Sequence, residues 1–145
     1  MILHTVYLRK GKVYIPTMAK VLTGGYQEIE PVSVADVTDV DILMKILREA
    51  LSRGNPILES YSYAENKEVA VLKYVGIKSY STFVRQSETW HVVIKNDQYE
   101  IRGQRRRPDR GWEPDEEKTL ILPVGSSQED LVQRIAGILE ESAVR

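Results

Sequence analysis

The chain of 145 residues contains no cysteine, two histidines and one phenylalanine. The absence of cysteine excludes disulfide scaffolds, cysteine nucleophiles, iron–sulfur clusters and cysteine-based zinc sites. A zinc site would have to combine His4 and His91 with carboxylates from distant segments, and no histidine pair has the i, i+4 spacing of a metalloprotease motif. We therefore predict that the protein binds no metal ion and needs no cofactor.

Long apolar runs and phosphate-binding loops are also missing. The longest apolar runs, such as residues 69–72, are far shorter than the ~20 residues of a membrane span. Gly24 and Gly25 lack the spacing of a P-loop or a dinucleotide fingerprint. Twenty basic and 21 acidic residues give a formal net charge of -1, which is not typical of a dedicated nucleic-acid binder. These features predict a cytoplasmic protein without a membrane segment.

Two segments carry apolar residues at helical spacing. Residues 38–53 and 127–142 each form one apolar stripe, and Ser126 with Glu129 has the spacing of a capping box. Gly137 lies inside the second helix, which predicts close packing against a sheet or another helix. The two stripes are formed by Val40, Leu43, Met44, Leu47, Ala50 and Leu51, and by Leu131, Ile135, Ile138 and Leu139.

Most of the remaining chain has strand-like patterns. Strands are predicted over residues 5–8, 13–15, 69–75, 90–95, 98–103 and 119–122, with hairpin turns at Gly11 and at Asn96-Asp97. A short helix or turn is predicted over residues 80–86. The strands cluster, and helices do not alternate with them. This order predicts one α+β domain over residues 1–145, a mainly antiparallel sheet packed by two amphipathic helices.

A strongly polar segment precedes the last predicted strand. Residues 102–117 contain five arginines and five acids, so a hairpin with paired charges is favoured over a nucleic-acid groove. Arg and Trp are enriched at protein interfaces, although Trp112 could equally be a core residue. We predict partner contacts from Arg105, Arg106, Arg107, Trp112, Glu113, Asp115, Glu116 and Glu117.

Three blocks of sequence resemble a group of small uncharacterised bacterial proteins. They are Val13-Tyr14-Ile15-Pro16-Thr17, residues 72–83, and the tail from Gly111-Trp112 through Leu122-Pro123 to Asp130-Leu131-Val132. Such α+β proteins resemble immunity proteins of bacterial toxin systems, including contact-dependent growth inhibition. The resemblance implies tight binding to a cognate toxin domain, often a nuclease, whose active site is blocked. It carries over no individual binding residue.

Two other functions remain open on the sequence. A small enzyme could use polar groups from Lys73, Lys78, Tyr80 and Arg85 near the short helix, although no nucleophile-elbow motif surrounds them. A nucleic-acid accessory protein could use residues 105–107, but the neighbouring acids would weaken its field. If the partner is a nuclease with a basic cleft, the acids at 113 and 115–117 are the better contacts because they imitate phosphate charge.

Overall fold

The computed structural model describes residues 1–60, 70–108 and 111–145. Tyr61 and the rest of the 61–69 stretch, as well as Asp109 and Arg110, lie outside these ranges. The elements in chain order are β1 (Ile2–Arg9), β2 (Lys12–Val21), β3 (Tyr26–Asp36), α1 (Val40–Arg53), β4 (Ile57–Leu58), α2 (Val71–Val75), α3 (Tyr80–Gln86), β5 (Ser87–Lys95), β6 (Gln98–Arg106), β7 (Trp112–Ile121) and α4 (Gln128–Ala143).

Within the described ranges the strands form one sheet in the order β3-β2-β1-β5-β6-β7. Each neighbouring pair in that order is antiparallel, and the short β4 pairs in parallel with β2. The predicted α+β class with a mainly antiparallel sheet is therefore confirmed. Strands β3 and β7 lie at opposite edges of this order, which places the polar segment of the sequence at one edge of the sheet.

The two amphipathic helices cover one face of the sheet, as predicted. Leu47 of α1 and Ile135 of α4 are 1% and 2% exposed and belong to the same apolar cluster as Val92 and Ile101 of the sheet. Burying such a stripe supplies the main driving force for docking a helix. The reciprocal capping box of α4 joins Ser127 and Asp130, one residue beyond the predicted pair.

The opposite face carries α2 and α3, and here one prediction is wrong. Residues 71–75, predicted as part of a strand over 69–75, form the short helix α2, while residue 69 lies outside the described ranges. A short apolar run does not reveal its period, so a buried helical turn and a buried strand look alike in sequence. Gly76 takes a left-handed conformation with φ 77° and ends the helix.

The sequence patterns also missed β3, and they missed how β1 and β2 separate. The β1–β2 pairing covers residues 7–9 of β1 and 12–14 of β2. Further along, the Asn55 side chain lies between the two strands, accepting from the Leu3 amide at 3.0 Å and donating to the carbonyls of Leu3 and Met18, both at 2.8 Å. One asparagine thereby supplies hydrogen bonds that the opened ladder would otherwise lack.

Candidate functional site

The eight predicted contact residues lie at the end of β6 and along β7, but they do not form one surface. In the β6–β7 ladder Arg105 is opposite Glu113, and Arg106 is opposite Trp112. Neighbouring residues of a strand point to opposite faces of the sheet. The first pair therefore faces away from the second, and the predicted surface divides into two parts.

Arg106 and Trp112 belong to the part that holds α3 against the sheet. The Arg106 guanidinium donates to the carbonyl oxygens of Val84 and Ser87, both at 2.7 Å, at the C-terminal end of α3. Its carbon atom Cζ lies 5.8 Å from the centre of the Trp112 ring, within the range of a cation–π contact. These contacts give Arg106 and Trp112 an intramolecular role, with Arg106 still exposed and Trp112 half-buried.

Arg105 and Glu113 form an exposed ion pair on the other side. The Arg105 Nε donates to Glu113 Oε1 at 2.8 Å, with 60% and 39% of the two side chains exposed. This bond and the charges of Glu113, Asp115 and Glu117 raise the pKa of Arg105. The guanidinium therefore lies within an acidic environment. Arg107 follows β6, and its amide donates to the Gly111 carbonyl at 3.1 Å.

Strand β7 contains a large bulge that projects acidic residues from the sheet. Pro114 pairs with Gln104 and Thr119 pairs with Arg102, so residues 115–118 of β7 stand opposite Gly103 alone. Such a bulge bends the strand and re-aims its side chains. We call residues 115–117, which are Asp115, Glu116 and Glu117, the acidic bulge.

Local contacts fix the conformation of the acidic bulge. The Asp115 carboxylate accepts from the Glu117 amide at 3.2 Å, and the Asp115 carbonyl accepts from the Thr119 hydroxyl at 3.0 Å. Only glycine fits across the ladder, because a Cβ at Gly103 would lie 2.3 Å from Lys118 Cβ and 2.8 Å from the Lys118 carbonyl oxygen. The bulge therefore has a defined conformation at the edge of the sheet.

The charge of this part is negative and concentrated. A surface cavity of about 400 Å³ is lined by Arg105, Pro114 and the three residues of the acidic bulge. Counting Glu113 as well, this part carries four carboxylates against two basic groups, the Arg105 guanidinium and the exposed Lys118 ammonium, a formal charge of -2. Such a surface attracts a positively charged partner over a distance of about one Debye length, or roughly 8 Å at physiological salt.

A buried carboxyl on the α2/α3 face was missed by sequence reasoning. Glu28 of β3 accepts a hydrogen bond from the Tyr7 hydroxyl, and burial raises the pKa of Glu28 from 4.5 to about 7, against the opposing hydrogen bonds of Tyr7 and the Val71 amide. Burial, followed by the charge of Glu28, raises the pKa of Tyr7. The sequence could have predicted that Glu28 lies beneath α2 only if its patterns had also predicted strand β3.

Tyr80 connects this carboxyl to the β7 edge. Burial and the Glu28 charge raise the pKa of Tyr80, and the nearby Trp112 indole opposes the shift. The indole nitrogen of Trp112 is buried, and its position does not meet hydrogen-bond geometry with Tyr80 or any other described residue. Polar groups therefore lie beneath α3 from β3 to β7.

The four side chains proposed for a small enzyme have separate surroundings. Lys73 lies 3.5 Å from a carboxylate oxygen of Glu30, and Arg85 donates to the Thr82 hydroxyl at 3.2 Å. Tyr80 lies near Glu28 and Trp112 as described, and Lys78 is exposed in the turn between α2 and α3. Within the described part of the chain, no hydrogen bond or ion pair joins any two of these four residues.

The histidines lie on neighbouring strands of the sheet. Burial and the nearby Arg53 lower the pKa of His4 to about 4, and burial with Arg102 lowers the pKa of His91. Among residues 1–60, 70–108 and 111–145, no cluster of three or more metal-binding side chains occurs. No helix in these ranges is long and apolar enough to span a bilayer.

Comparison with known proteins identifies the fold. No family model matches the chain, and neither does any curated protein. A chain of the CdiA-CT/CdiI toxin and immunity complex from Yersinia pseudotuberculosis superposes with a TM-score of 0.62 at 13% identity, covering 98% of this chain and 96% of that chain.

A protein of unknown function from Neisseria meningitidis superposes with a TM-score of 0.64 at 14% identity, covering 93% of this chain and 92% of that chain. At such identities the likeness establishes a shared fold. The predicted resemblance to the immunity proteins of contact-dependent growth inhibition is therefore consistent with a structural neighbour that comes from such a system.

Proposed function

We propose that this chain is a cytoplasmic immunity protein that neutralises a toxin domain by binding it directly. The observation that carries the proposal is the likeness, over nearly the whole of both chains, to a chain of a toxin and immunity complex. An inhibitor needs a stable fold and a preformed contact surface, and no catalytic motif. The sequence and the rigidly supported bulge agree with these requirements.

The acidic bulge is the surface that we propose for this contact. Its carboxylates, together with Glu113, place negative charge on a sheet edge in the way that phosphates place it along a nucleic acid. A toxin nuclease must attract phosphates, so its active-site cleft is positively charged. We therefore propose a nuclease domain as the partner, with the acidic bulge covering its substrate cleft.

The structure refines the set of residues worth changing. Glu113 is bound to Arg105, and Asp115 supports the backbone of the bulge, so substitution of either would alter the fold locally. Glu116 and Glu117 are exposed and have no side-chain bond to another described residue. The double substitution Glu116→Lys and Glu117→Lys therefore tests charge with the least structural disturbance.

The experiment is co-expression with a toxin domain encoded beside this gene. Wild-type protein should restore growth and co-purify with the toxin. The double lysine variant should protect poorly and associate at least about tenfold more slowly at low salt, with a smaller difference at high salt. The matched control is Glu59→Lys with Glu140→Lys, which changes net charge equally at two exposed acids outside β7.

Three results would contradict the proposal. The wild-type protein could fail to protect against, or bind, any neighbouring gene product. The chain could itself stop growth when it is expressed alone, which would assign it to the toxin side. Equal loss of protection in both lysine variants would show that net charge matters and that the acidic bulge does not.

A further inference from the structure

The outward face of helix α4 carries residues that contacts within the described chain do not explain. Gly137 stands in the middle of the helix, where glycine is about 1 kcal/mol less favourable than alanine. A Cβ at this position would have no atom within 4 Å apart from its chain neighbours and the backbone of its own helix, so the expected close packing is absent within the described chain. Arg134, Gly137, Ile138 and Glu141 line a groove of about 310 Å³ along this face.

A second groove continues the first towards the edge strand. It has a volume of about 500 Å³, includes Arg134 and Asp130, and is otherwise lined mainly by the apolar residues that follow β7 and those at its end. Ile121 in this groove is 53% exposed, and the nearby loop residue Val124 is 90% exposed. At the other end of α4, Val144 is 86% exposed.

We propose that this face binds a second copy of the chain, with the two α4 helices antiparallel about a two-fold axis that passes between Gly137 and Ile138. Arg134 and Glu141 are equally distant from that axis along the helix, so Arg134 of each copy would face Glu141 of the other. Both side chains are exposed, and neither has an ion pair with a described residue. A two-fold interface requires such self-complementarity.

The same two-fold axis would also account for the glycine at position 137 and for the exposed apolar residues Ile121 and Val144. Ile138 is half-buried against the core of its own chain, and its outer side would lie against Gly137 of the other copy, since a glycine lets two helices approach closely. The C-terminal end of one α4 would lie beside the start of the other. Val144 would then reach the apolar groove near Ile121, and symmetry would bury these residues twice.

The contact is modest in size and partly ionic. It involves one helix face and one groove on each copy, which corresponds to the small, weak class of protein interfaces. We therefore expect a dissociation constant on the order of micromolar at physiological salt and a weaker dimer at high salt.

Sedimentation equilibrium of the whole protein, from low micromolar to millimolar concentration, tests the proposal. Wild type should form a dimer. Gly137→Lys should be monomeric over the range while its melting temperature is at least that of wild type, because lysine is a better helix former. Thus loss of the dimer would not reflect loss of folding.

Charge exchange makes the register testable. Arg134→Glu alone and Glu141→Arg alone should each weaken the homodimer at least tenfold, because each places like charges together. An equimolar mixture of these two variants should form a heterodimer about as strong as the wild-type dimer, since every facing pair is then opposite in charge. The control Glu59→Arg changes an exposed acid elsewhere and should leave the dimer unchanged.

Several outcomes would overturn the proposal. Wild type could remain monomeric at millimolar concentration. A dimer could persist in Gly137→Lys, or the mixed variants could fail to associate, and either result would exclude this helix pairing. If wild type were monomeric and Gly137→Lys abolished its protection against the toxin, this face of α4 would belong to the toxin contact and the dimer proposal would fail.

Discussion

Replacement of the buried Glu28 by glutamine should change how stability depends on pH. Burial raises the pKa of this carboxyl from 4.5 to about 7 in the folded chain. Between these values the unfolded chain has lost the proton and the folded chain retains it. Folding therefore takes up a proton, and the contribution of Glu28 to stability is lost as pH rises through the folded pKa.

The size of this effect follows from the difference between the two pKa values. Each pKa unit corresponds to 1.36 kcal/mol, so the contribution of Glu28 should fall by about 3 kcal/mol between mildly acidic and alkaline solution. His4 acts in the opposite direction. Its pKa falls from 6.5 to about 4 on folding, so its contribution to stability rises with pH between those values.

Comparison of Glu28→Gln with wild type separates the two groups, because His4 is common to both proteins. Glutamine keeps an oxygen that can accept from the Tyr7 hydroxyl. Urea unfolding should show that the variant gains about 3 kcal/mol relative to wild type between about pH 5 and pH 8. The exposed Glu59→Gln should show no such trend. A difference between Glu28→Gln and wild type that stays constant over this range would refute the reasoning.

Four further predictions concern stability and binding. Leu47→Ala should cost on the order of 2–5 kcal/mol in urea unfolding, because this core residue is 1% exposed, and a loss below half a kcal/mol would contradict its placement. Gly103→Ala should lower the melting temperature, whereas Gly137→Ala should raise it, since only the first Cβ would meet Lys118. A chelator should leave the melting temperature unchanged, and a fall reversed by one metal would show a missed site. Residues 105–107 should give no submicromolar affinity for nucleic acid at physiological salt, as measured by anisotropy with the triple alanine variant as control.

The sequence predicted those elements whose periodicity is long enough to be unambiguous. Both amphipathic helices and the β5–β6 hairpin occur close to their predicted positions. The short apolar run at 71–75 became a helix because the sheet face above Tyr7 and Tyr14 accepted two buried residues from one helical turn. Tertiary contacts decide whether such a short run forms a helix or a strand, and the local sequence pattern carries no information about those contacts.

Strand β3 was missed for a different reason. Its residues between Tyr26 and Asp36 are mostly polar or half-buried, and the register against β2 shifts between Pro16 and Thr17. A strand of this kind gives no clear period of two. The environment of Glu28 was therefore also hidden, because it depends on where β3 lies relative to α2.

The arginine-rich segment shows why a charge count alone misjudges a surface. Its charges cancel in composition, yet the fold separates them in space. Arg102 is bound to Glu100 at 2.7 Å, and Arg106 donates to carbonyls beneath α3. A glycine inside a strand pattern is the signal that could have located the acidic bulge, because it often marks a bulge or a close backbone approach.

The separation of charge also makes one side of the β7 edge locally negative. Arg106 is bound to the C-terminal end of α3, and Arg105 is paired with Glu113. The carboxylates of residues 115–117 remain on a bulge that Gly103 makes possible. A chain with a formal net charge of only -1 can therefore present a locally negative surface. Steering depends on this local field more than on net charge, so a basic partner would meet the acidic bulge in a defined orientation.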